Sequence, residues 1–329
     1  MFLRRHWSSV ALLFLVACSR DAAVPLAEGR LPVAGGGSLY CRLIGRGTDT
    51  VVVVHGGPAL NSRYLEEALR SLAEAHVLLF YDQGGQGRSS DARQPDSLSF
   101  ARDLDDLAAV QAHFALGPMR IVGHHWGAAL AAQFAVRHPE RVARVVLLSP
   151  MPLSASFTYR LACRPNDSSA LQSWTAALAG NTDSLDPAGF CTRFWGFQFF
   201  PAGVTVRPAV RQLAPAVCDD SPQRIREHAT TTRELYLSLR GWNWPDTLGQ
   251  VSPPALVIVG GESEAWLTNA VLWSARLREA RLLVLGRTAL FPWAEAKPEI
   301  NRELVEFLGG SWPAQALRVD TLGRTIKAS

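Results

Sequence analysis

The sequence predicts an α/β protein built on a doubly wound, mostly parallel β-sheet. Short apolar runs rich in β-branched residues alternate along the chain with segments of helical spacing, which is typical of βαβ units. In addition, an apolar strand at Met119–Val122 runs directly into the turn Gly123–Gly127, and an apolar helix over Ala128–Val136 follows at once. This strand–turn–helix arrangement is the second indication of such a sheet.

The individual elements follow from apolar periodicity. Continuous apolar runs suit strands buried on both faces. In chain order, the predicted strands are Ser38–Ile44, Thr50–Val54, His76–Tyr81, Met119–Val122, Val142–Leu148, Ala255–Val259 and Arg281–Leu285. Helical spacing predicts helices over Tyr64–Ala73, Phe100–Phe114, Ala128–Val136, Asn269–Leu277 and Ile300–Leu308. Acidic residues near the start of the second helix complement the helix dipole there.

Composition describes an ordinary globular protein. The chain has 329 residues, enough for one large α/β domain or two small ones, with 48% apolar and 19% charged residues. The formal charge of +4 is spread without a basic block, so nucleic acid is not indicated as a partner.

The N-terminus is expected to be an export signal. Arg4 and Arg5 form a positive region, and the apolar core Val10–Ala17 is too short to span a bilayer as a helix. Leu15–Cys18 is similar to a bacterial lipobox, in which cleavage leaves a lipidated Cys18 as the new N-terminus. The alternatives are an ordinary secretory signal with a chance cysteine, or an uncleaved anchor.

This interpretation places the protein in the bacterial cell envelope. Ser19 after the lipidated cysteine favours the periplasmic face of the outer membrane. Disulfides can persist in such a compartment, and the remaining cysteines are Cys41, Cys163, Cys191 and Cys218. The sequence does not select a pairing. A bridge within the later three, or four free thiols, are both open, and no spacing resembles a zinc site.

One long segment breaks the strand–helix alternation. Residues 153–246 are rich in aromatic side chains and lie between two core strands, so we expect a helical cap over the edge where the functional loops emerge. The predicted organisation is a signal peptide (1–17), a tether (18–36), a core (37–152 and 247–311) interrupted by the cap (153–246), and a C-terminal tail (312–329).

Four stretches resemble motifs of one family. They are His55–Pro58, Asp82–Ser89, Gly123–Gly127 with the following His138–Val142, and Leu282–Leu285 through Phe291–Glu295. In this order and at these intervals, they resemble the α/β-hydrolases of the proline iminopeptidase-like group, over nearly all of the sequence after residue 18. One departure is Gly84, which stands where the group usually has arginine.

The resemblance implies a Ser–His–acid triad, which this chain lacks. Gly123–Gly127 would be the nucleophile elbow, yet its middle residue is His125 rather than serine. The acid position falls on Glu264, and the base position, immediately before Phe291, falls on Leu290. The oxyanion-hole amides would be those of Gly57 and Trp126, which need no particular side chain. The glycines Gly123 and Gly127 of the elbow are retained.

The sequence therefore predicts a catalytically inactive, lipid-anchored pseudohydrolase that binds a small-molecule or peptide ligand, or a partner. The alternative is a working peptidase, esterase or amidase in which His125, oriented by Glu264, acts as nucleophile or base. An iminopeptidase would also need acidic cap residues for the substrate amine, and the candidates are Asp219, Asp220, Glu227 and Glu234. An interaction domain that works through its outer surface is a third possibility. No metal and no cofactor is implied.

Overall fold

The main sheet has eight strands and follows the alternation of the sequence. The computed structural model describes residues 25–58, 60–89, 98–156, 222–288 and 291–326. The strands of this sheet are β1 (Pro25–Pro32), β2 (Ser38–Gly45), β3 (Thr50–Val54), β4 (Val77–Tyr81), β5 (Met119–His124), β6 (Val142–Leu148), β7 (Ala255–Gly260) and β8 (Ala280–Leu285). Their spatial order is β1-β2-β4-β3-β5-β6-β7-β8.

Only the first pairings are antiparallel. β1 pairs with β2, and β2 with β4, in antiparallel fashion, whereas every later pairing in the sheet is parallel. Strand β3 lies at the centre, and Val51–Val54 are 0% exposed because helices cover both faces of a parallel sheet. The predicted fold class, a mostly parallel doubly wound sheet, is confirmed.

The described helices flank this sheet. They are α1 (Arg63–Ala68), α2 (Phe100–His113), α3 (Trp126–Arg137), α4 (Pro222–Leu239), α5 (Pro245–Leu248), α6 (Glu264–Arg276), α7 (Pro292–Glu295) and α8 (Lys297–Leu308). Helix α2 begins at Ser99, whose side chain accepts a hydrogen bond from the Arg102 amide and so satisfies one donor of the first turn.

The structure differs from the sequence prediction at the two chain ends. Residues 25–32, which were assigned to the tether, form the edge strand β1. Part of the predicted tail forms a hairpin of β9 (Arg318–Val319) and β10 (Thr325–Ile326), and Leu317 pairs with Leu282 on the free edge of β8. Leu317 lies far from Leu282 in the sequence, so local periodicity gives little signal there, whereas β1 is an edge strand whose Pro25, Gly29 and Pro32 weaken the strand pattern.

The helix predicted over Tyr64–Ala73 is divided in two. Helix α1 ends at Ala68, and a 3₁₀ helix covers Arg70–Glu74. A 3₁₀ turn has three residues per turn, which places Leu69 and Leu72 on one face, and both are 0% exposed. Tighter winding therefore keeps both leucines in the core.

The predicted cap is described only at its ends. Residues 157–221, with Cys163, Cys191, Cys218, Asp219 and Asp220, lie outside the described residues. Ser154 and Asn243 pair as an isolated β-bridge, so the two ends of the segment lie side by side. The Ser238 hydroxyl on α4 accepts a hydrogen bond from the Phe100 amide at 3.0 Å, which joins α4 to the start of α2. In the described part of the chain no helix is both long and apolar enough to cross a membrane.

A buried ionic network fixes the loops that follow β3 and β4. The Asp82 carboxylate accepts hydrogen bonds from the Ser62 amide and from the amide and Nε of Arg88, each at 2.8 Å. The Arg88 guanidinium also donates to Glu66 at 2.8 Å, and Arg42 donates to the other oxygen of Glu66 at 2.8 Å. The network holds the start of α1 against the turn after β4.

The network predicts a large stability loss on removal of its central carboxylate. Burial alone would raise the pKa of Asp82, but the hydrogen bonds and charge of Arg88 outweigh burial and lower it. Asp82→Ala leaves the Arg88 cation without its main partner, so we expect a loss of about 3–5 kcal/mol in the free energy of unfolding. Urea denaturation measures it.

The matched control is Asp105→Ala. Asp105 pairs with Arg137 at 2.9 Å, but their side chains are 55% and 50% exposed, so we expect a loss below about 1 kcal/mol. Equal losses in the two variants would contradict the structural role of the network.

Candidate functional site

The turn at Gly123–Gly127 has the backbone of a nucleophile elbow. His125 lies between β5 and α3 with φ 48° and ψ −107°, a conformation that non-glycine residues seldom adopt. The end of β6 and the residues after it hold it there: the His125 amide donates to the Leu148 carbonyl at 3.0 Å, and the His125 carbonyl accepts from the Met151 amide at 3.2 Å. The sequence prediction of a tight turn with His125 at its apex agrees with this geometry.

Both elbow glycines are required by close backbone packing. A Cβ atom at Gly127 would overlap the carbonyl oxygens of Val54 and His55, and one at Gly123 would overlap the Gly127 carbonyl. Helix α3 therefore starts directly against the end of β3. This contact brings the loop that follows β3 next to the apex of the elbow.

The side chain of His125 is bound to that loop. Its Nδ1 lies 2.8 Å from the Gly57 carbonyl oxygen, and a carbonyl only accepts, so Nδ1 carries the proton. The ring is 7% exposed, and its centroid lies 5.6 Å from that of the Trp266 ring. Burial lowers the pKa of His125 to about 4, although the hydrogen bond to Gly57 opposes this effect. The imidazole is therefore neutral at pH 7.

His124, which precedes His125, supports the same loop through the Tyr64 hydroxyl. The Gly56 amide donates to the Tyr64 hydroxyl at 2.7 Å, and this hydroxyl is hydrogen-bonded to Nδ1 of His124 at 2.6 Å. His124 is 0% exposed, and burial, followed by the nearby His125 and His55, holds its pKa well below the ordinary value. Consecutive histidines of the elbow thus hold consecutive glycines of the loop.

His55 completes the support of the loop. Its Nδ1–H donates to the Gly56 carbonyl at 2.8 Å, and its Nε2 accepts from the Gln83 amide at 3.0 Å. The Gln83 side chain in turn donates to the His55 carbonyl at 2.8 Å. Burial lowers the pKa of His55 as well, so this ring is a neutral structural group.

The structure does not bring Glu264 to the His125 ring. Glu264 is the first residue of α6, is exposed, and makes no hydrogen bond or ion pair within the part of the chain that is described. The contact from α6 comes instead from Trp266, which is 7% exposed. Residues two apart on a helix point in different directions, so the chain can present one of these side chains to the elbow but not both. Glu264 therefore does not orient His125, whose ring is hydrogen-bonded to the Gly57 carbonyl instead.

Leu290 lies outside the described residues, but residues on both sides of it are described. The Phe291 ring centroid lies 5.7 Å from that of His124, and the Trp293 centroid lies 4.4 Å from it in an edge-to-face arrangement. On the other side, the Thr288 carbonyl accepts from the Glu262 amide at 3.0 Å. Phe291 and Trp293, which follow the predicted base position, therefore pack against His124 of the elbow.

Both predicted oxyanion donors, Gly57 and Trp126, lie within the described residues. Trp126 is the first residue of α3, where the helix supplies no acceptor for the amide. Gly57 adjoins the elbow through its own carbonyl. The Trp126 indole donates to the buried Asp103 carboxylate at 3.1 Å and fixes this residue in place. Their role in stabilising an oxyanion stays a prediction.

The remaining candidates lie away from the elbow or outside the description. Among the acidic cap residues, Glu234 pairs with the adjacent Arg233 at 3.0 Å, and no side-chain position is described for Glu227. The Cys41 thiol is free and buried in β2. No group of three His, Cys, Asp or Glu side chains is arranged for a metal ion within the described ranges.

Sequence reasoning missed the residues that hold the site together. Tyr64, Trp266 and Trp293 line or support the elbow. In the sequence, Tyr64 starts a predicted helix, Trp266 lies outside every predicted helix and strand, and Trp293 belongs to the Phe291–Glu295 motif without a predicted role of its own. No spacing links them to residues 123–127, so only the tertiary packing identifies their roles.

Comparison with known proteins identifies the family. The model of the alpha/beta hydrolase fold family matches residues 49–265, more than half of the chain. The chain belongs to the α/β-hydrolase fold family. A proline iminopeptidase of Clostridioides difficile is 22% identical over 303 residues, which cover 87% of this chain and 99% of that protein. One of Heyndrickxia coagulans is 33% identical over 124 residues, but that match spans 37% of this chain and 43% of that protein.

Solved structures of α/β-hydrolases have the same architecture. The crystal structure of VinJ superposes with a TM-score of 0.68 at 21% identity, covering 87% of this chain and 99% of that one. Proline iminopeptidase from Mycobacterium smegmatis gives 0.65 at 19% identity, covering 86% and 98%. At these identities the likeness concerns the fold alone.

The neutral histidine predicts a stability that depends on pH. The pKa of His125 is lower in the folded protein than in the unfolded chain, where it is about 6.5, so the unfolded state binds more protons on acidification. The contribution of His125 to the free energy of unfolding is therefore complete above about pH 6.5. It falls as the pH is lowered towards 4, by up to roughly 3 kcal/mol. Urea denaturation at several pH values measures the slope.

His125→Asn tests the assignment to this residue. Asparagine does not titrate, tolerates positive φ, and can still donate to the Gly57 carbonyl. We expect a shallower slope between pH 6.5 and 4, while His55 and His124 still contribute in both proteins. His113→Asn on the exposed face of α2 is the control. An unchanged slope in the His125 variant would contradict the assignment.

Proposed function

We propose that this protein is a ligand-binding member of the α/β-hydrolase fold family that lacks Ser–His hydrolysis. One observation carries the proposal: the elbow apex is occupied by an imidazole that is hydrogen-bonded to the Gly57 carbonyl. A hydrolase of this design needs a small hydroxyl at that point, free to attack a carbonyl carbon. A buried ring bound to the adjacent loop fills that position instead.

The environment of His125 also disfavours acid–base work. A general base is most effective when its pKa lies near the working pH, whereas the pKa of His125 is about 4. A carboxylate partner would raise the pKa, but the ring is oriented by a neutral carbonyl and Glu264 does not contact it. The sequence contains no histidine after His228, so the region around position 290 supplies no second imidazole.

The retained framework favours binding over loss of all function. The glycines of the elbow, the hydrogen-bonded Gly56–Gly57 loop and the aromatic surroundings of the apex all persist. Pockets with aromatic walls and few polar groups are typical of small-molecule sites. We therefore propose a small-molecule or peptide ligand, bound between the elbow and the predicted cap.

The second candidate is an active hydrolase in which His125 acts on a bound water or attacks the substrate directly. The observation in its favour is the tautomer, because Nδ1 carries the proton and Nε2 is the basic nitrogen, as in a working triad. The related iminopeptidases make prolyl peptides and arylamides the first substrates to test.

A hydrolysis assay separates the two candidates. The full-length protein is assayed with p-nitrophenyl acetate and with proline p-nitroanilide, beside His125→Ala and the double change His125→Ser with Leu290→His. We expect no turnover by the unaltered protein and a gain only in the double change, which restores nucleophile and base together. The single changes His125→Ser and Leu290→His are the matched controls. Turnover by the unaltered protein that disappears in His125→Ala would overturn the binding proposal in favour of the second candidate.

We also propose that the protein is anchored to the envelope through a lipid on Cys18, on the basis of the lipobox-like Leu15–Cys18. In a Gram-negative host, Cys18→Ala should move the protein out of the membrane fraction or block maturation. The anchor would be contradicted if the Cys18→Ala variant associated with the membrane as strongly as the unaltered protein and migrated at the same position on gels. Ser19→Ala is the control, since it leaves the acylated residue in place.

A further inference from the structure

The edge of the sheet at which the parallel strands begin lies opposite the elbow. His125 and the Gly56–Gly57 loop follow the carboxyl ends of β5 and β3, whereas Arg120 lies near the start of β5. A strand rises about 3.3 Å per residue, so the strand from Arg120 to the elbow spans roughly 15 Å. This edge is therefore a surface separate from the elbow.

The described chain starts at this same edge. Pro25, the first residue of β1, pairs with Ile44 in β2. The next residue of β2, Gly45, pairs with Val77 at the start of β4. Cys18 precedes Pro25 by seven residues, which reach at most roughly 25 Å, about half the roughly 50 Å diameter of a compact chain of this length. A lipid on Cys18 would therefore hold this edge, rather than the elbow, next to the membrane.

The segments that lead into the strands at this edge carry an excess of arginine. We call residues 45–50, 74–77, 115–120, 138–144, 249–254 and 276–281 the basic edge. They contain seven arginines and four carboxylates, namely Arg46, Arg120, Arg141, Arg144, Arg276, Arg278 and Arg281 with Asp49, Glu74, Glu140 and Glu279. The whole chain carries +4, and Arg4 and Arg5 of the predicted signal peptide account for two of these charges. The basic edge therefore holds the positive excess of the remaining sequence.

Two of these arginines lie side by side against the end of a helix. Arg120 on β5 and Arg144 on β6 are register partners in the sheet. Arg120 Nε donates to the Leu308 carbonyl at 2.9 Å, and Arg144 Nη2 donates to the Gly310 carbonyl at 2.7 Å. A helix C-terminus favours cations, so the end of α8 positions both guanidinium groups at this edge.

Several of these cations have no carboxylate partner. Arg144, Arg278 and Arg281 form no ion pair within the described part of the chain, and Glu279 acts on Arg144 only at a distance. Arg278 is exposed, and the Arg281 guanidinium lies 4.8 Å from the centre of the Trp312 ring. Guanidinium groups form strong, charge-assisted hydrogen bonds with phosphate oxygens. The charge of this edge therefore complements an anionic lipid surface.

We propose that the basic edge docks on anionic phospholipid headgroups of the membrane that holds the Cys18 lipid. The short connection to Cys18 keeps the edge close to the headgroups, and the arginines bind their phosphate groups. The elbow then faces away from the membrane. This inference rests on the proposed lipid anchor, and it adds the orientation of the protein and the class of lipid that it contacts.

Paramagnetic broadening in nanodiscs tests the orientation. The mature ¹⁵N-labelled protein is purified from a Gram-negative host, and mass spectrometry determines whether Cys18 carries lipid. Nanodiscs contain phosphatidylcholine alone, or equal parts of phosphatidylcholine and phosphatidylglycerol, with a trace of gadolinium-chelating lipid. The Trp312 indole signal, beside Arg281, is compared with that of Trp266, beside His125. With phosphatidylglycerol we expect Trp312 to be broadened at least about 3-fold more than Trp266, and the difference to shrink without it.

Paired substitutions test the role of charge. Arg46→Gln with Arg278→Gln removes two exposed cations of the basic edge, so we expect the excess broadening of Trp312 to fall at least about 2-fold. The matched control is Arg63→Gln with Arg287→Gln, which removes two exposed arginines on the elbow side, after β3 and β8. The control should keep the full excess. All four side chains are exposed, so both variants should unfold near the Tm of the unaltered protein.

The outcomes separate docking from the anchor. Equal broadening of the two indoles, or stronger broadening of Trp266, would overturn the inference. So would an excess at Trp312 that does not depend on phosphatidylglycerol, that persists in the basic-edge variant, or that falls equally in the control. Each of these results with lipidated protein leaves the anchor standing. Absence of lipid from Cys18 would overturn the anchor and this inference together.

Discussion

Close packing between the elbow and the end of β3 sets the geometry of the whole site. The absence of a side chain at Gly127 lets α3 approach the carbonyls of Val54 and His55. That approach brings the apex within hydrogen-bonding distance of Gly57. The same contact leaves room for only a short connection from β5 to α3, and it forces His125 into a left-handed backbone conformation. The end of β6 and the loop after β3 hold this strained turn in place.

The chemistry of the site follows from this packing. A side chain at the apex that is bonded to the Gly57 carbonyl supports the loop, and burial keeps it neutral. Its neighbours are rings rather than charges, with Trp266 on one side and the His124–Trp293 contact beneath.

Much of the fold was predictable because its signals are local. Apolar runs such as Thr50–Val54 and the glycine turn after Met119–Val122 identify strands and elbow without knowledge of their neighbours. The errors concern the two chain ends and Glu264. Strand β1 pairs with the next strand, β2, but contains two prolines and a glycine that weaken its pattern, and Leu317, just before the C-terminal hairpin, pairs with the distant β8. Glu264 satisfied the family spacing, but the orientation of α6 presents Trp266 to the elbow.

The sequence by itself determined the fold class and the position of the tight turn, and it predicts that His125 and Leu290 stand at two of the triad positions, because these are properties of residue type and order. The tertiary structure decided which groups now replace that chemistry. The bond from His125 to Gly57 and the hydrogen bonds that join Gly56, Tyr64 and His124 each depend on elements far apart in the chain. Side-chain direction and burial arise only when those elements pack, so no local pattern encodes them.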